Sequence, residues 1–115
     1  MFIAGKQTDS VYEYTLSTGF DVSTASYDSS FSIASQEESV TDLAFNTDGT
    51  KMFTVGTDNR SVYEYNLSTG FDVSTASYVD GFSVASQETV PTGLEFSADG
   101  KRMFITGNNL SLIHI

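Results

Sequence analysis

The sequence predicts an all-β fold assembled from repeated small antiparallel sheets, and three observations carry that expectation. VYEYTLSTGFDVSTASY at residues 11–27 returns as VYEYNLSTGFDVSTASY at residues 62–78, 51 positions later. Within each copy the apolar residues alternate over short runs, and none forms the 3.6-residue stripe of an amphipathic helix. The runs are separated by Asp-Gly and Ser-Thr-Gly clusters, which favour turns.

The repeat extends well beyond the quoted stretch. Residues 10–37 and 61–88 differ at five of 28 positions: Thr15/Asn66, Asp28/Val79, Ser29/Asp80, Ser30/Gly81 and Ile33/Val84. The register continues without a gap, so TDLAFNTDGTKMFTVG (41–56) lies over TGLEFSADGKRMFITG (92–107). MFIAG at residues 1–5 matches MFTVG at 52–56 and MFITG at 103–107.

One period reads as four strands. VTDLAF (40–45) puts Leu43 and Phe45 on one face, as a half-buried strand requires. NTDGTK (46–51) follows, with an Asp-Gly step that tolerates the positive φ of a hairpin turn. KMFTVG (51–56) is the return strand, Phe53 and Val55 alternating with Met52 and Thr54. The polar turn TDNR (57–60) leads to SVYEYNL (61–67), and the loop STGFDVST leads to a fourth extended stretch, ASYVDGFSVAS (76–86). No helix is expected.

A four-stranded sheet of about 50 residues, repeated, is the blade of a β-propeller. The expected fold is therefore a β-propeller fragment of about two four-stranded blades plus a partial third. AFNTDGTKMFTVG and EFSADGKRMFITG resemble the hairpin of YncE-like and lactonase-like seven-bladed propellers. The longer unit VYEYxLSTGFDVSTASY resembles repeats of marine phage and bacterial structural proteins. That resemblance implies a structural or binding role outside the cell or on a virion.

Residues 1–39 then form a partial blade lacking its first strand, 40–90 a complete blade, and 91–109 the first hairpin of the next. Met1 shares its repeat position with Met52 and Met103, which fits either a natural start in a ring closed by strands from both ends or an internal methionine at a fragment edge. In the third copy VYEY is due from residue 113, yet the chain reads LSLIHI over 110–115. Those six residues resemble a translated sequencing adapter, so the stretch is expected to be an adapter-derived tail, and His114 is set aside from site reasoning.

Composition narrows the function classes. Five basic against fifteen acidic residues give a formal net charge of −10. Such a field repels nucleic-acid phosphates and anionic lipid, so neither nucleic acid nor membrane is an expected partner. The absence of cysteine removes disulfides and thiolate metal sites.

Several constellations invite a chemical reading. Asn46-Thr47-Asp48-Gly49 and Ser97-Ala98-Asp99-Gly100 superficially resemble a calcium loop. An EF-hand needs a carboxylate eleven residues after its first ligand, where Thr57 stands, so hairpin turns are expected. Asp42 and Glu95 lie on or beside the innermost strand, where the resemblance to lactonase-like propellers would place catalytic or metal-binding acids. The copies disagree there, Asp42 matching Gly93 and Glu95 matching Ala44, so solvated or channel-facing acids are expected.

Tyr12, Tyr14, Tyr63 and Tyr65, with Phe20 and Phe71, form the aromatic set. Cross-strand aromatic pairs contribute roughly 0.2–1 kcal/mol each, and an aromatic set identical in each copy argues for scaffold over a carbohydrate-stacking surface. Phe20 and Phe71 are expected to fold the long loop back onto the sheet. Gly5, Gly56 and Gly107 end the second strand of each copy, for reasons of positive φ or close sheet contact. Asn59-Arg60-Ser61 and Asn66-Leu67-Ser68 match the glycosylation pattern, but the first copy has Thr8 and Thr15 there, so accidental matches are expected.

No residue is singled out as catalytic, cofactor-binding or metal-ligating, and no cofactor is expected. The reading is a non-catalytic binding or structural module whose partners are further blades of its own chain, with a protein or carbohydrate as external ligand. The alternative is scaffold from a lactonase-like or quinoprotein-like enzyme whose site lies in other blades. Self-assembly of short chains into a ring is a third expectation.

Overall fold

A computed structural model describes residues 1–5 and 7–108 of the chain. The expected adapter-derived tail, 110–115 with His114, lies outside the described residues.

Among the described residues the chain is all-β, with three antiparallel sheets in succession. The first contains β1 (Phe2–Gly5), β2 (Ser10–Leu16) and β3 (Ala25–Ser32), in that spatial order. The second runs β4 (Val40–Phe45), β5 (Lys51–Gly56), β6 (Ser61–Leu67) and β7 (Ala76–Ser83). The third pairs β8 (Pro91–Phe96) with β9 (Met103–Gly107). Every connection joins spatial neighbours, so each sheet is a meander whose register is set by its own turns.

The repeat is reproduced down to its irregularities. The β2–β3 pairing shifts between Glu13 and Tyr14, and the β6–β7 pairing shifts between Glu64 and Tyr65. The β4–β5 and β8–β9 hairpins also shift at matching places, between Val40 and Asp42 and between Pro91 and Gly93. Gly49 and Gly100 both take φ 73°, the left-handed conformation expected of the Asp-Gly turns.

Two expectations of local structure need amending. The fourth extended stretch, expected over 76–86, ends as a strand at Ser83 because Gln87 and Glu88 turn back to donate to the Val84 carbonyl at 3.1 and 2.9 Å. The loops expected to lack helix each contain one 3-10 turn, Val22–Thr24 and Val73–Thr75. Asp21 and Asp72 cap them, each carboxylate accepting from the Ser N–H two residues on at 3.1 Å. This is ordinary N-cap chemistry encoded by Asp-Val-Ser-Thr.

The sheets stack through one contact that recurs a period later. Phe2 meets Phe45 with ring centroids 4.5 Å apart, and Phe53 meets Phe96 at the same 4.5 Å. Val11, Ile33, Met52, Tyr65 and Val73 form the core between the first and second sheets, all fully buried. Val55, Val62, Val84 and Leu94 form the core between the second and third. Both faces of β5 are therefore covered, Met52, Thr54 and Val55 being buried together. A strand buried on both sides needs sheets on both sides, as in any multilayer β architecture.

Candidate functional site

Asp42, one of the two inner-strand acids singled out from the sequence, serves the backbone. Asp42 Oδ2 accepts the Leu94 N–H at 2.8 Å, and Oδ1 accepts the Leu43 N–H at 2.8 Å. Beside it the Thr41 hydroxyl lies 2.9 Å from the Pro91 carbonyl oxygen. Together they tie β4 to β8, the facing strands of adjacent sheets. The mismatch between copies is thereby explained: Gly93 stands where Asp42 stands one period earlier, and a Cβ there would meet the Thr106 hydroxyl at 2.1 Å. Glu95 is exposed and lines a cavity between the β4–β5 and β8–β9 hairpins, so the structure does not bring it together with Asp42.

The Asp-Gly turns are closed on themselves. The Thr50 hydroxyl donates to Asp48 Oδ1 at 2.6 Å and the Thr50 N–H at 3.1 Å, which holds the Asp48 carboxyl below its ordinary range. Asp99 is lowered likewise by the Ser97 hydroxyl at 2.7 Å and the Lys101 N–H at 3.0 Å. Among the described residues no group of three or more His, Asp or Glu side chains converges as a metal site.

The buried acid that sequence reasoning missed is Glu37. It is fully buried, and its carboxylate accepts the N–H groups of Ser39, Asp58 and Asn59 at 2.9, 3.2 and 3.2 Å. Gly56 gives it room: a Cβ there would stand 2.4 Å from Glu37 Cδ. Glu88 crowds Gly107 in the same way, a Cβ meeting its Cδ at 2.0 Å. Neither glycine has positive φ, so close approach is the reason for both. The signal was present as Gln36-Glu37 and Gln87-Glu88, retained through copies that differ nearby.

The tyrosines pair across neighbouring strands of their sheets. Tyr14 and Tyr65 meet Tyr27 and Tyr78 edge-on, each at 5.8 Å. Tyr65 is fully buried and donates its hydroxyl to Gln36 Oε1 at 3.0 Å. Burial, foremost, drives its pKa far above the ordinary tyrosine value. A carbohydrate platform would present such rings to solvent; Tyr65 presents none.

Phe71 folds its loop back as expected and Phe20 does not. Phe71 packs against Phe2 and Phe45 at 6.3 and 5.4 Å and covers Gly49, where a Cβ would meet its ring at 2.3 Å. Phe20 has the same φ of 61° and the same neighbours in sequence, yet is fully exposed. The difference is tertiary, because no hairpin turn among the described residues lies beneath Phe20. At the glycosylation-like sequences, Asn59 donates its side-chain amide to the Gln36 carbonyl and Asn66 accepts from Lys51 at 3.2 Å.

Two concave surfaces adjoin the third sheet. One, of about 550 Å³, lies between the hairpins and is lined by Phe45, Phe53, Phe96 and Gly100. The other, of about 220 Å³, is lined by Val62, Glu64, Phe82 and Met103. In the larger, the Ser97 hydroxyl donates to the exposed Asp99 carboxylate at 2.7 Å, a pair that closes the Asp-Gly turn. No protein-family model, curated protein or solved structure matches this chain.

Proposed function

We propose that the chain is a non-catalytic binding or structural module, consecutive blades of an acidic β-propeller whose sheets stack on further sheets of the same kind. The observation that carries this reading is the recurrence of one interface: Phe2 on Phe45 and Phe53 on Phe96, each at 4.5 Å with tilts of 44° and 47°. An interface repeated at the sequence period continues the stack; a catalytic site breaks the repeat. Among the places where the innermost strands differ, Asp42 is engaged with two backbone amides.

The external ligand in this reading is a protein or carbohydrate, contacted by the loops and by the exposed tyrosines Tyr27 and Tyr78. Display on a cell or virion surface accords with the net charge of −10, which favours solubility and discourages adhesion to nucleic acid.

The test is direct. Purified full-length chain is assayed for ester and lactone hydrolysis and for stoichiometric metal, beside an Asp42→Asn variant. The expected result is background turnover and no bound metal in both. Hydrolysis abolished by Asp42→Asn would overturn the reading in favour of a lactonase-like enzyme.

A further inference from the structure

The interface between the first two sheets shows how the repeat fills a groove. β6, the loop with Phe71 and the Val73–Thr75 turn lie against the first sheet and the edge of β5. There Tyr65 meets Phe31 edge-on at 5.7 Å, and the Val73 N–H donates to Glu13 Oε1 at 3.0 Å. The Phe71 N–H donates to the Gly49 carbonyl at 2.9 Å and the Leu67 N–H to the Thr50 carbonyl at 2.8 Å. Backbone, aromatic and charge-assisted contacts thus act on one continuous segment.

Moved on by one period, the receptor side of this interface is present a second time. Phe82 replaces Phe31, Glu64 replaces Glu13, Gly100 replaces Gly49 and β9 replaces β5. Among the described residues, however, β9 pairs with β8 alone. Phe82 is 67% exposed, and a Cβ on Gly100 would meet nothing within 4 Å. Met103 is half-buried where Met52 is fully buried. Both cavities beside the third sheet fall within this receptor, the larger at Gly100 and the smaller at Glu64 and Phe82.

From this continuity with a filled interface we infer that the groove along β9 is a docking site for one kind of partner. The partner is a polypeptide segment of the repeat's own strand–turn–strand sequence, of the type spanning residues 61–83. It adds its first strand, by β-augmentation, to the edge of β9 that no described strand pairs. Its second tyrosine seats on Phe82, its loop phenylalanine covers Gly100, and the N–H opening its 3-10 turn donates to Glu64. Glu64 is now held by Lys51 at 2.5 Å, a partly exposed ion pair that costs little to exchange for a backbone donor.

A second copy of the chain carries the same segment over β2 and β3, but the β2 edge that would face β9 is already paired with β1. Direct head-to-tail docking of copies therefore requires a strand to leave, which a free segment does not. The segment is the better fit.

The inference rests on the stacked-module reading, and the experiment separates the two. Full-length isotope-labelled chain is titrated with a synthetic peptide of residues 61–83, beside a scrambled peptide of the same composition. Saturable binding is expected, with shifts confined to Met103–Gly107, Glu64, Phe82 and Gly100. Glu64→Ala in the chain, or Phe71→Ala in the peptide, should each weaken binding about tenfold or more. Slow amide exchange in β4–β7, measured on the same samples, verifies that each variant is folded. A silent titration with that exchange intact overturns the docking site and leaves the stacked module standing. Equal binding of the scrambled peptide overturns it too, as does a concentration-dependent dimer that excludes the peptide.

Discussion

Glu37 and Gly56 are one unit: the buried carboxylate of Glu37 occupies the space that any side chain on Gly56 would need. A methyl group added to Gly56 would stand 2.4 Å from both Cδ and Cγ of Glu37 and 2.5 Å from the Ser39 carbonyl oxygen. The pair fixes the turn after β5, since Glu37 accepts from Asp58 and Asn59 there.

Gly56→Ala should accordingly destabilise the chain by about 3 kcal/mol, the upper end for forced overpacking. Glu37→Ala should cost a similar amount by removing the acceptor of three part-buried amide bonds, about 1 kcal/mol each. Gly5→Ala is the control, because its Cβ would come no closer than 3.2 Å to any neighbour, the Thr8 hydroxyl. Denaturant midpoints of the three variants check this; equal losses at Gly5 and Gly56 would refute the account.

Phe45 sits between two rings, Phe2 at 4.5 Å and Phe71 at 5.4 Å, while Phe96 has Phe53 alone, at 4.5 Å. Phe45 is half-buried, so Phe45→Ala should cost less than the about 3–5 kcal/mol of a fully buried phenylalanine, with Phe96→Ala costing less still. Thermal unfolding of the two variants compares them. The reverse order would mean that Phe71 does not close over Phe45 in solution.

Acid should loosen the hairpin turns. Asp48 and Asp99 have depressed carboxyl pKa values, caused first by the hydroxyls of Thr50 and Ser97 and next by the Thr50 and Lys101 N–H groups. A depressed folded pKa contributes stability above the ordinary value of 3.8, lost as pH falls through the folded value. Stability should therefore decline below about pH 4, and Asp48→Asn with Asp99→Asn should flatten that decline. Denaturant midpoints measured across that range decide it.

Alkali should act through Tyr65. Burial raises its pKa above the ordinary 10.0, so the neutral ring stabilises the fold below that value. The contribution is lost as pH rises toward the folded pKa. A tyrosinate absorbance step that coincides with unfolding is expected above pH 10, and Tyr65→Phe should remove the step. The same variant also loses the bond to Gln36, so it should be less stable at neutral pH by about 1 kcal/mol.

Much of the fold was legible because strands and turns are local. The limits of β4, β5 and β6 follow from alternation bounded by Asp-Gly and Asp-Asn-Arg, and the structure places them at 40–45, 51–56 and 61–67. The 3-10 turns were less visible, since a single Asp-capped turn leaves no periodicity to read. Glu37 was hidden for another reason. A glutamate reads as a surface residue, and its three amide partners come from residues 39, 58 and 59, only one of them near it in sequence. Asp42 drew attention as an acid on an inner strand, but one of its two amide partners, Leu94, lies 52 residues away.

The sequence by itself determined the period, the antiparallel strands and the turn chemistry, because each depends on a handful of adjacent residues. Only the tertiary structure decided which copies of the same residues are buried. Phe20-Asp21-Val22 and Phe71-Asp72-Val73 are identical, yet Val22 is 70% exposed and Val73 is 0% exposed. Alternation tells a strand which face is apolar; what covers that face is set by the sheet lying across from it. For Val73 that sheet supplies Glu13 and the core around Val11 and Ile33, and for Val22 no described sheet stands opposite.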